Sequence, residues 1–283
     1  MSLHYRIKYK SKNTYENPVS EAYWQFLVTP ENNETQEVLY SNFRTTVDAR
    51  IENSINGYNF ETTRIHCKKP FDKICFEAEF RLHKKDINPF GFSPIFNNLL
   101  DYNLTENHSF KVEFDNFLKH TELTKLPENI KTIHKFNKEF TVFENLNNLN
   151  NWVYNYLQFK IGVTKVNTLL KEIVVSKQGV CQDFSHLFCA ISRENNIPAR
   201  YVSGYLHQGN GYFGDSQMHA WVEAFLPNIG WIGFDPTNNI LVNHNHIKVC
   251  HGKDYNDCPP IKGIIYASGK NETTHSVEVS QQQ

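Results

Sequence analysis

The hydrophobic pattern changes its period part-way along the chain, and this change constrains the fold more than any other feature. Up to about residue 85, runs rich in β-branched and aromatic residues are separated by turn-like segments. Runs of this kind at this spacing are typical of strands in an antiparallel sandwich. We therefore predict an all-β, sandwich-like first domain over residues 1–104. Its predicted strands cover residues 3–9, 22–28, 43–51, 59–67 and 73–82.

A helical period replaces the strand pattern in the second part of the chain. Apolar residues recur at helical spacing over residues 146–161, and a short helix is predicted over 166–174. The helix predicted after Gly179 carries one apolar stripe, formed by Phe184, Leu187, Phe188 and Ile191. Strand patterns follow at 199–207, 219–226 and 231–237, and again near the C-terminus. This order predicts an α+β domain over residues 105–283, including the C-terminal strands, in which a helix packs on an antiparallel sheet.

Charge and composition bear on the partners that the chain can have. The 29 basic and 30 acidic residues give a net charge of −1 without any run of like charges, so neither nucleic acid nor a membrane is an expected partner. No apolar run approaches the roughly 18 residues of a membrane span, and the N-terminus lacks the apolar core of a secretory signal. We therefore expect a cytoplasmic protein with six reduced cysteines. The oligomeric state stays open.

One cysteine lies where a helix is predicted to begin. Cys181 follows Gly179 and Val180 directly, and the apolar stripe that starts at Phe184 puts it in the first helical turn. Unpaired N–H groups and a partial positive charge at a helix N-terminus stabilise a thiolate, and the Cys181 N–H is free to help bind an oxyanion. A cysteine considered alone, however, is more often a small buried apolar residue. A nucleophile also requires a base.

His219 and Asp235 are predicted to meet at one end of a hairpin. His219 begins the strand 219–226 and Asp235 lies near the end of the returning strand, and these two ends are neighbours in an antiparallel pair. Direct opposition requires paired residue numbers to sum to 454, which places Glu223 opposite Trp231; a β-bulge with a tighter turn is the alternative. His186 is nearer to Cys181 in sequence, but five residues along a helix turn it about 140° away.

Four sequence segments resemble a known family in their order and spacing. Within residues 165–265 they read "GVCQDFSHL", "MHAWVEAFLP", "GWIGFDPTNN" and "HIKVCHGKDYNDCPPIKG". The chain closely resembles the bacterial transglutaminase-like family, which includes cysteine-protease-like members, and its strand-rich start is similar to that family's N-terminal β domain. The resemblance implies a papain-like α+β core with a Cys-His-Asp triad, whose nucleophile falls on Cys181, base on His219 and orienting acid on Asp235.

Several residues near the triad are candidates for the substrate cleft. Gln182 is placed either to donate to an oxyanion or to be solvated in the first helical turn, and Tyr255 either lines the cleft or belongs to a turn before two prolines. Gly214 ends "GNGYFG", which joins two strand patterns and is therefore interpreted as a cleft loop and not as a dinucleotide motif. Met218 directly precedes His219. No cofactor is expected, and the spacing of "HNHIKVCH" (244–251) fits no usual zinc frame.

The function predicted from these residues is cysteine-dependent acyl transfer on peptide or protein amides through a thioester. Hydrolysis, as in a peptidase or amidase, is favoured over the capture of an amine, as in a transglutaminase. The alternative from a different class is a non-catalytic binding or assembly module. The presence of Cys181, His219 and Asp235 together favours the enzyme, because a degenerate scaffold often loses one of the three.

Overall fold

The computed structural model describes residues 2–91, 98–207 and 217–282. Six strands come first, and the two longest of them, β1 and β6, pair with each other in antiparallel fashion along most of their length. The bounds of these strands are β1 (Ser2–Val19), β2 (Glu21–Phe26), β3 (Gln36–Thr45), β4 (Arg50–Ile55), β5 (Glu61–Cys67) and β6 (Phe71–Lys85). The single strand predicted over residues 43–51 is therefore wrong, since β3 and β4 are separate strands in different sheets.

In the rest of the described chain, helices come first, two short strands then alternate with helices, and a run of strands follows. The helices are α1 (Asn98–Glu106), α2 (His108–Glu113), α3 (Asp115–Leu118), α4 (Val142–Tyr156), α5 (Leu170–Ser176) and α6 (Cys181–Glu194). The strands are β7 (Gln158–Phe159), β8 (Gln178–Gly179), β9 (Ala199–Leu206), β10 (His219–Leu226), β11 (Gly230–Asp235), β12 (Ile240–Leu241), β13 (His246–Gly252), β14 (Ile261–Tyr266) and β15 (Asn271–Gln282). No helix in the described residues is both long and apolar enough to cross a membrane.

Two four-stranded antiparallel sheets form a β sandwich. Their strand orders are β15-β1-β6-β3 and β14-β2-β5-β4. Aromatic side chains join the two inner faces, and the ring centroids of Phe26 and Phe76 lie 4.8 Å apart. The two C-terminal strands, which the predicted domain 105–283 includes, make their hydrogen bonds to β1 and β2 of the sandwich. The C-terminus therefore returns to the N-terminal sheets after the chain has passed through the helical region.

The helix that begins at Cys181 packs on a third antiparallel sheet. This sheet has the order β12-β11-β10-β9-β13, and α6 contacts β10 and β9. The predicted apolar stripe of α6 is completely buried, and the rings of Phe188 and Phe234 lie 5.4 Å apart. The arrangement confirms the predicted α+β fold, with a helix carrying the cysteine on an antiparallel sheet and a β-rich region before it.

Polar contacts fasten the sandwich to this sheet at strand β13. The Gln36 side chain donates to the Lys248 carbonyl at 2.7 Å and accepts from the Lys248 N–H at 3.0 Å, while the Lys84 ammonium donates to the His246 carbonyl. The Tyr205 hydroxyl also donates to the carbonyl of Val28 at 2.6 Å. Each bond satisfies a buried polar group, which is expensive to leave unpaired. The sandwich and the five-stranded sheet are thus held in one relative position.

Candidate active site

A hydrogen-bonded cap fixes the start of α6. The Asp183 carboxylate accepts from the Val180 N–H at 2.8 Å and from the Thr164 hydroxyl at 2.7 Å. This carboxylate needs the space above Gly179, since a Cβ there would lie 2.6 Å from Asp183 Oδ2. The glycine and the aspartate together explain why the helix begins at Cys181. An acidic side chain in the first turn also suits the positive end of the helix dipole.

Cys181 lies at the helix start and is partly exposed, whereas Cys189 on the same helix is completely buried. Its first-turn position directs its backbone N–H along the helix axis, away from the bonded turns. The sequence alone left open whether this thiol is a buried apolar residue. Its partial exposure beside a cleft distinguishes it from the buried Cys189, whose thiol pKa is raised by burial to about 12.

The hairpin of β10 and β11 has a different register from the predicted one. Paired residue numbers sum to 456, so that Glu223 faces Gly233 and a three-residue turn joins the strands. The predicted sum of 454 is wrong by two residues. Because side chains alternate with a period of two, a shift of two keeps His219 and Asp235 on the same face as diagonal neighbours.

His219 and Asp235 form a fully buried pair. The His219 Nε2–H donates to Asp235 Oδ2 at 2.8 Å, and both side chains are inaccessible to solvent. Nδ1 of His219 has no hydrogen-bond partner at standard geometry among the described residues. Cys181 lines the same cavity as this ring and helps to raise the pKa of His219. The imidazole is therefore held by Asp235 at one nitrogen and offers the other to the thiol.

The pair is ionised because its internal attraction exceeds the cost of burial. Burial is the largest influence on the pKa of His219 and lowers it, but the charge and hydrogen bond of Asp235, with a smaller effect of Cys181, raise the pKa above its ordinary value. Burial likewise raises the pKa of Asp235, and the charge of His219 and the hydrogen bonds of His219 and His246 outweigh it, holding the pKa well below its usual range. An imidazolium beside a thiol favours the thiolate.

Asp235 has further donors that the sequence did not predict. The Asn238 amide donates to Oδ2 at 2.7 Å, and the backbone N–H groups of Thr237 and Asn238 donate to Oδ1 at 3.0 and 3.3 Å. The third side chain on Oδ2 is His246, whose Nε2–H donates at 3.2 Å. Burial lowers the pKa of His246, which is consistent with a neutral ring whose Nδ1 accepts from the Asn243 N–H at 3.3 Å.

Three of these side chains also form a possible metal-ligand group. The ligand atoms of His219, Asp235 and His246 all lie within 4.8 Å of one another. Both imidazoles contact the same oxygen, Asp235 Oδ2, which is the geometry of two hydrogen bonds to one anion. Hydrogen bonding thus accounts for their arrangement. Among the other residues considered for zinc, His244 pairs with Asp86 at 3.2 Å.

Three of the four predicted cleft residues line a cavity that also contains the cysteine. Gln182, Met218 and Tyr255 line a cavity of about 310 Å³ together with Cys181 and His219. The Gln182 amide is buried and donates to the Val166 carbonyl at 3.0 Å, so it is not the solvated side chain considered as its alternative. The backbone of Tyr255 is held by His186, whose Nε2 accepts its N–H at 3.2 Å. Gly214 falls outside the described residues.

His246 offers a test of how Asp235 is positioned. Replacing His246 with alanine removes one donor from the carboxylate and leaves a cavity, and we expect Cys181 to be alkylated about tenfold more slowly at pH 6. The conservative His246→Gln variant keeps an N–H donor and should recover most of the rate. Alkylation is followed by mass spectrometry of the Cys181 peptide. An unchanged pH profile in His246→Ala would show that His246 does not position Asp235.

The segment that carries the candidate active site matches a known protein family. Residues 131–236 match the model of the transglutaminase-like superfamily, and the matched region contains Cys181, His219 and Asp235. The chain therefore contains a transglutaminase-like domain.

Some proteins are similar to this chain along nearly its whole length, and others only over a short segment. An uncharacterized protein of Mycobacterium leprae is 26% identical over 97% of this chain and 98% of its own length. A protein-glutamine gamma-glutamyltransferase of Pseudomonas aeruginosa is 34% identical over 71 residues, which are 23% of this chain and 11% of that protein. The crystal structure of a candidate cysteine protease from Cytophaga hutchinsonii has a TM-score of 0.78 at 20% identity and covers 100% of this chain and 92% of that one. This last likeness shows that the two proteins share a fold.

Proposed function

We propose that the protein catalyses cysteine-dependent acyl transfer on amide bonds, with hydrolysis as the outcome. The observation that carries this proposal is the buried His219–Asp235 pair, which offers one free ring nitrogen toward a partly exposed cysteine at a helix N-terminus. Each group has the environment that its role requires. The nucleophile is accessible, the base is oriented, and the orienting acid is ionised and shielded from water.

The first half-reaction forms a thioester. The Cys181 sulfur attacks the carbonyl carbon of the substrate amide, while its proton resides on His219 Nδ1. The backbone N–H of Cys181 helps to stabilise the negative oxygen of the tetrahedral intermediate. The C–N bond then breaks, and His219 gives its proton to the departing amine. Asp235 remains ionised throughout and keeps the imidazole in the orientation that serves both proton transfers.

The second half-reaction releases the acyl group. His219 removes a proton from a water molecule, whose oxygen attacks the thioester carbon. The C–S bond breaks, the acid product leaves, and the thiol is restored with the proton from His219. If a primary amine takes the place of water, the same steps yield a new amide. The 71-residue match with a protein whose name is protein-glutamine gamma-glutamyltransferase favours this amine transfer as the second candidate outcome.

A paired assay tests the proposal and separates the two outcomes. Peptide and isopeptide amides are incubated with the protein, with and without a biotinylated primary amine, and the products are identified by mass spectrometry. We expect cleavage that Cys181→Ala abolishes, with a loss of at least 10³-fold, and that Cys75→Ala leaves unchanged, because Cys75 is a partly exposed thiol on the β sandwich. Biotin incorporation that depends on Cys181 would indicate amine transfer. Cleavage that survives in Cys181→Ala would overturn the proposed mechanism.

A further inference from the structure

The cavity beside Cys181 has a wall that belongs to the β sandwich. Five of its lining residues come from the sandwich strands or the residue next to them: Tyr9 on β1, Pro260 and Ile261 at the start of β14, and His275 and Val277 on β15. The other lining residues come from the start of α6, from β9 and β10, and from the segments that contain Val166, Gln217, Met218 and Tyr255. The C-terminal strands therefore do more than complete the sandwich. By returning to it, they place apolar side chains in the same cavity as the candidate nucleophile.

This cavity is lined without a charged carboxylate, ammonium or guanidinium group among the described residues. Tyrosines dominate its aromatic surface, with Tyr9 and Tyr201 almost fully buried. The one polar pair on the sandwich wall is satisfied internally, because the Tyr9 hydroxyl and His275 Nδ1 hydrogen-bond to each other at 3.3 Å. The His219 imidazolium is the one charged side chain among the described lining residues, and it is already paired with Asp235 at 2.8 Å. A charged group entering this space would therefore lose its water without gaining a carboxylate, ammonium or guanidinium partner, which is strongly unfavourable.

Strand alternation explains why the wall is neutral although its strands carry many charges. The charged neighbours of the wall residues project from the other side of each strand, because side chains alternate with a period of two. Lys10 pairs with Glu77 at 2.8 Å, and Lys8 with Glu278 at 3.3 Å, on the outer face of the sheet. Lys262, beside Ile261, donates to the carbonyl of Asn256 at 3.0 Å.

We infer that this cleft takes a neutral, largely apolar acyl donor, and that the sandwich strands β1, β14 and β15 select it. The inference rests on the proposed function, since it identifies the substrate class of the same site. The volume of about 310 Å³ lies at the lower end of the roughly 300–1,000 Å³ that small-molecule sites occupy. The site therefore fits one apolar or carboxamide side chain next to the scissile amide. It excludes an acidic or basic residue at that position.

Matched alkylating probes test this selectivity without a known substrate. Three chloroacetamides are used, which carry N-benzyl, N-(4-carboxybenzyl) or N-(4-aminomethylbenzyl) groups. Their rates at Cys181 are measured by mass spectrometry, and each rate is divided by the rate of the same probe with glutathione. We expect the benzyl probe to react at least tenfold faster than either charged probe after this normalisation. Equal normalised rates for all three probes would overturn the inference, even in wild-type protein alone.

A pair of variants on one strand locates the selecting wall. Ile261→Lys introduces a positive charge on the cleft side of β14, and we expect it to raise the normalised rate of the carboxybenzyl probe about fivefold. Ile264→Lys is the matched control, because Ile264 is on the same strand but is 62% exposed and lines a groove on the other face. The Ile264→Lys control should leave the normalised rate of the carboxybenzyl probe unchanged. Equal effects of both variants would show that β14 does not face the bound probe.

The same data distinguish failure of this inference from failure of the proposed function. Rapid alkylation at pH 6 without any preference among the probes would overturn the neutral cleft and leave the reactive cysteine in place. Uniformly slow alkylation, at the rate of an ordinary thiol but with the benzyl preference retained, would overturn the catalytic pair and leave the cleft's selectivity in place. Each result therefore bears on one proposal alone.

Discussion

Replacing Asp235 with asparagine is expected to lower Cys181-dependent amide cleavage by about 10⁴-fold, the loss found when the orienting acid of a catalytic triad is replaced by asparagine. The physical reason is the balance within the buried pair. Burial lowers the pKa of His219 and the Asp235 charge raises it. Without that charge burial prevails, so the pKa of His219 falls below its ordinary value of about 6.5. The imidazole is then neutral at pH 7 and no longer stabilises a thiolate.

The pH profile of alkylation measures this change directly. In the wild type we expect Cys181 to react well below pH 8.5, the approximate midpoint of a free thiol, whereas in Asp235→Asn the profile should move toward that value. The matched control is Asp101→Asn. Asp101 is another buried aspartate, it lies away from the site, and its carboxylate accepts a hydrogen bond of 3.0 Å from the Asn228 amide. It should leave the profile in place. A wild-type profile that persists in Asp235→Asn would refute the ion pair.

Replacing Glu223 with glutamine should lower the free energy of unfolding by about 3 kcal/mol at pH 7. The change removes the carboxylate that pairs with Arg200 in a largely buried cluster and leaves Lys248 with Glu31 at 3.6 Å. Glu223 Oε2 lies 2.6 Å from Arg200 and 2.9 Å from Lys248. These groups lie in the five-stranded sheet, and the backbone of Lys248 is also bonded to the Gln36 side chain of the sandwich. The loss of Glu223 should therefore weaken both the sheet and its attachment to the sandwich, as measured by urea unfolding.

The effect should also depend on pH in a defined direction. Burial raises the pKa of Glu223, but Lys248 and Arg200 outweigh it and lower the pKa from 4.5 to about 2. Because the folded value is the lower one, the stabilisation is fully present above pH 4.5 and is lost as the pH falls toward 2. The difference between wild type and variant should therefore shrink in acid.

An exposed ion pair supplies the control for Glu223. Glu278→Gln removes the partner of Lys8 on the outer face of the sandwich, where the Glu278 side chain is 63% exposed. We expect it to change the free energy of unfolding by less than about 1 kcal/mol. If Glu223→Gln were as mild as this control, the cluster would be too well solvated to contribute the predicted stability.

The strands of the five-stranded sheet show how much of the fold the local hydrophobic pattern predicts. The strand beginning at His219 and the helix after Val180 occur where the sequence predicts them. Each element buries one face, and the spacing of its apolar residues indicates which face is buried. The hairpin register was wrong by two residues, since the positive φ values of Asn228 and Gly230 permit a tighter turn than the predicted one. A shift of two residues preserves the face, so the juxtaposition of His219 and Asp235 survived the error.

The contact between His246 and Asp235 could not be predicted from the hydrophobic pattern. It lies on β13, at the opposite edge of the sheet from β12 and with β9 and β10 between it and β11. Its hydrogen bond to Asp235 depends on how the side chains at the ends of these strands converge, which hydrophobic periodicity does not record. In the sequence it was considered only as part of a zinc motif, whose spacing fits no usual zinc frame.

The sequence by itself determined the helix that begins at Cys181, the strands that carry His219 and Asp235, and the resemblance to a transglutaminase-like domain. These features depend on local hydrophobic period and on motifs a few residues long. Only the tertiary structure decided that the last two strands return to the two sheets of the sandwich and that Tyr9, Ile261 and Val277 line the same cavity as the cysteine. Pairing between strands more than 200 residues apart is set by which edges remain open after the intervening chain has folded, and no local pattern contains that information.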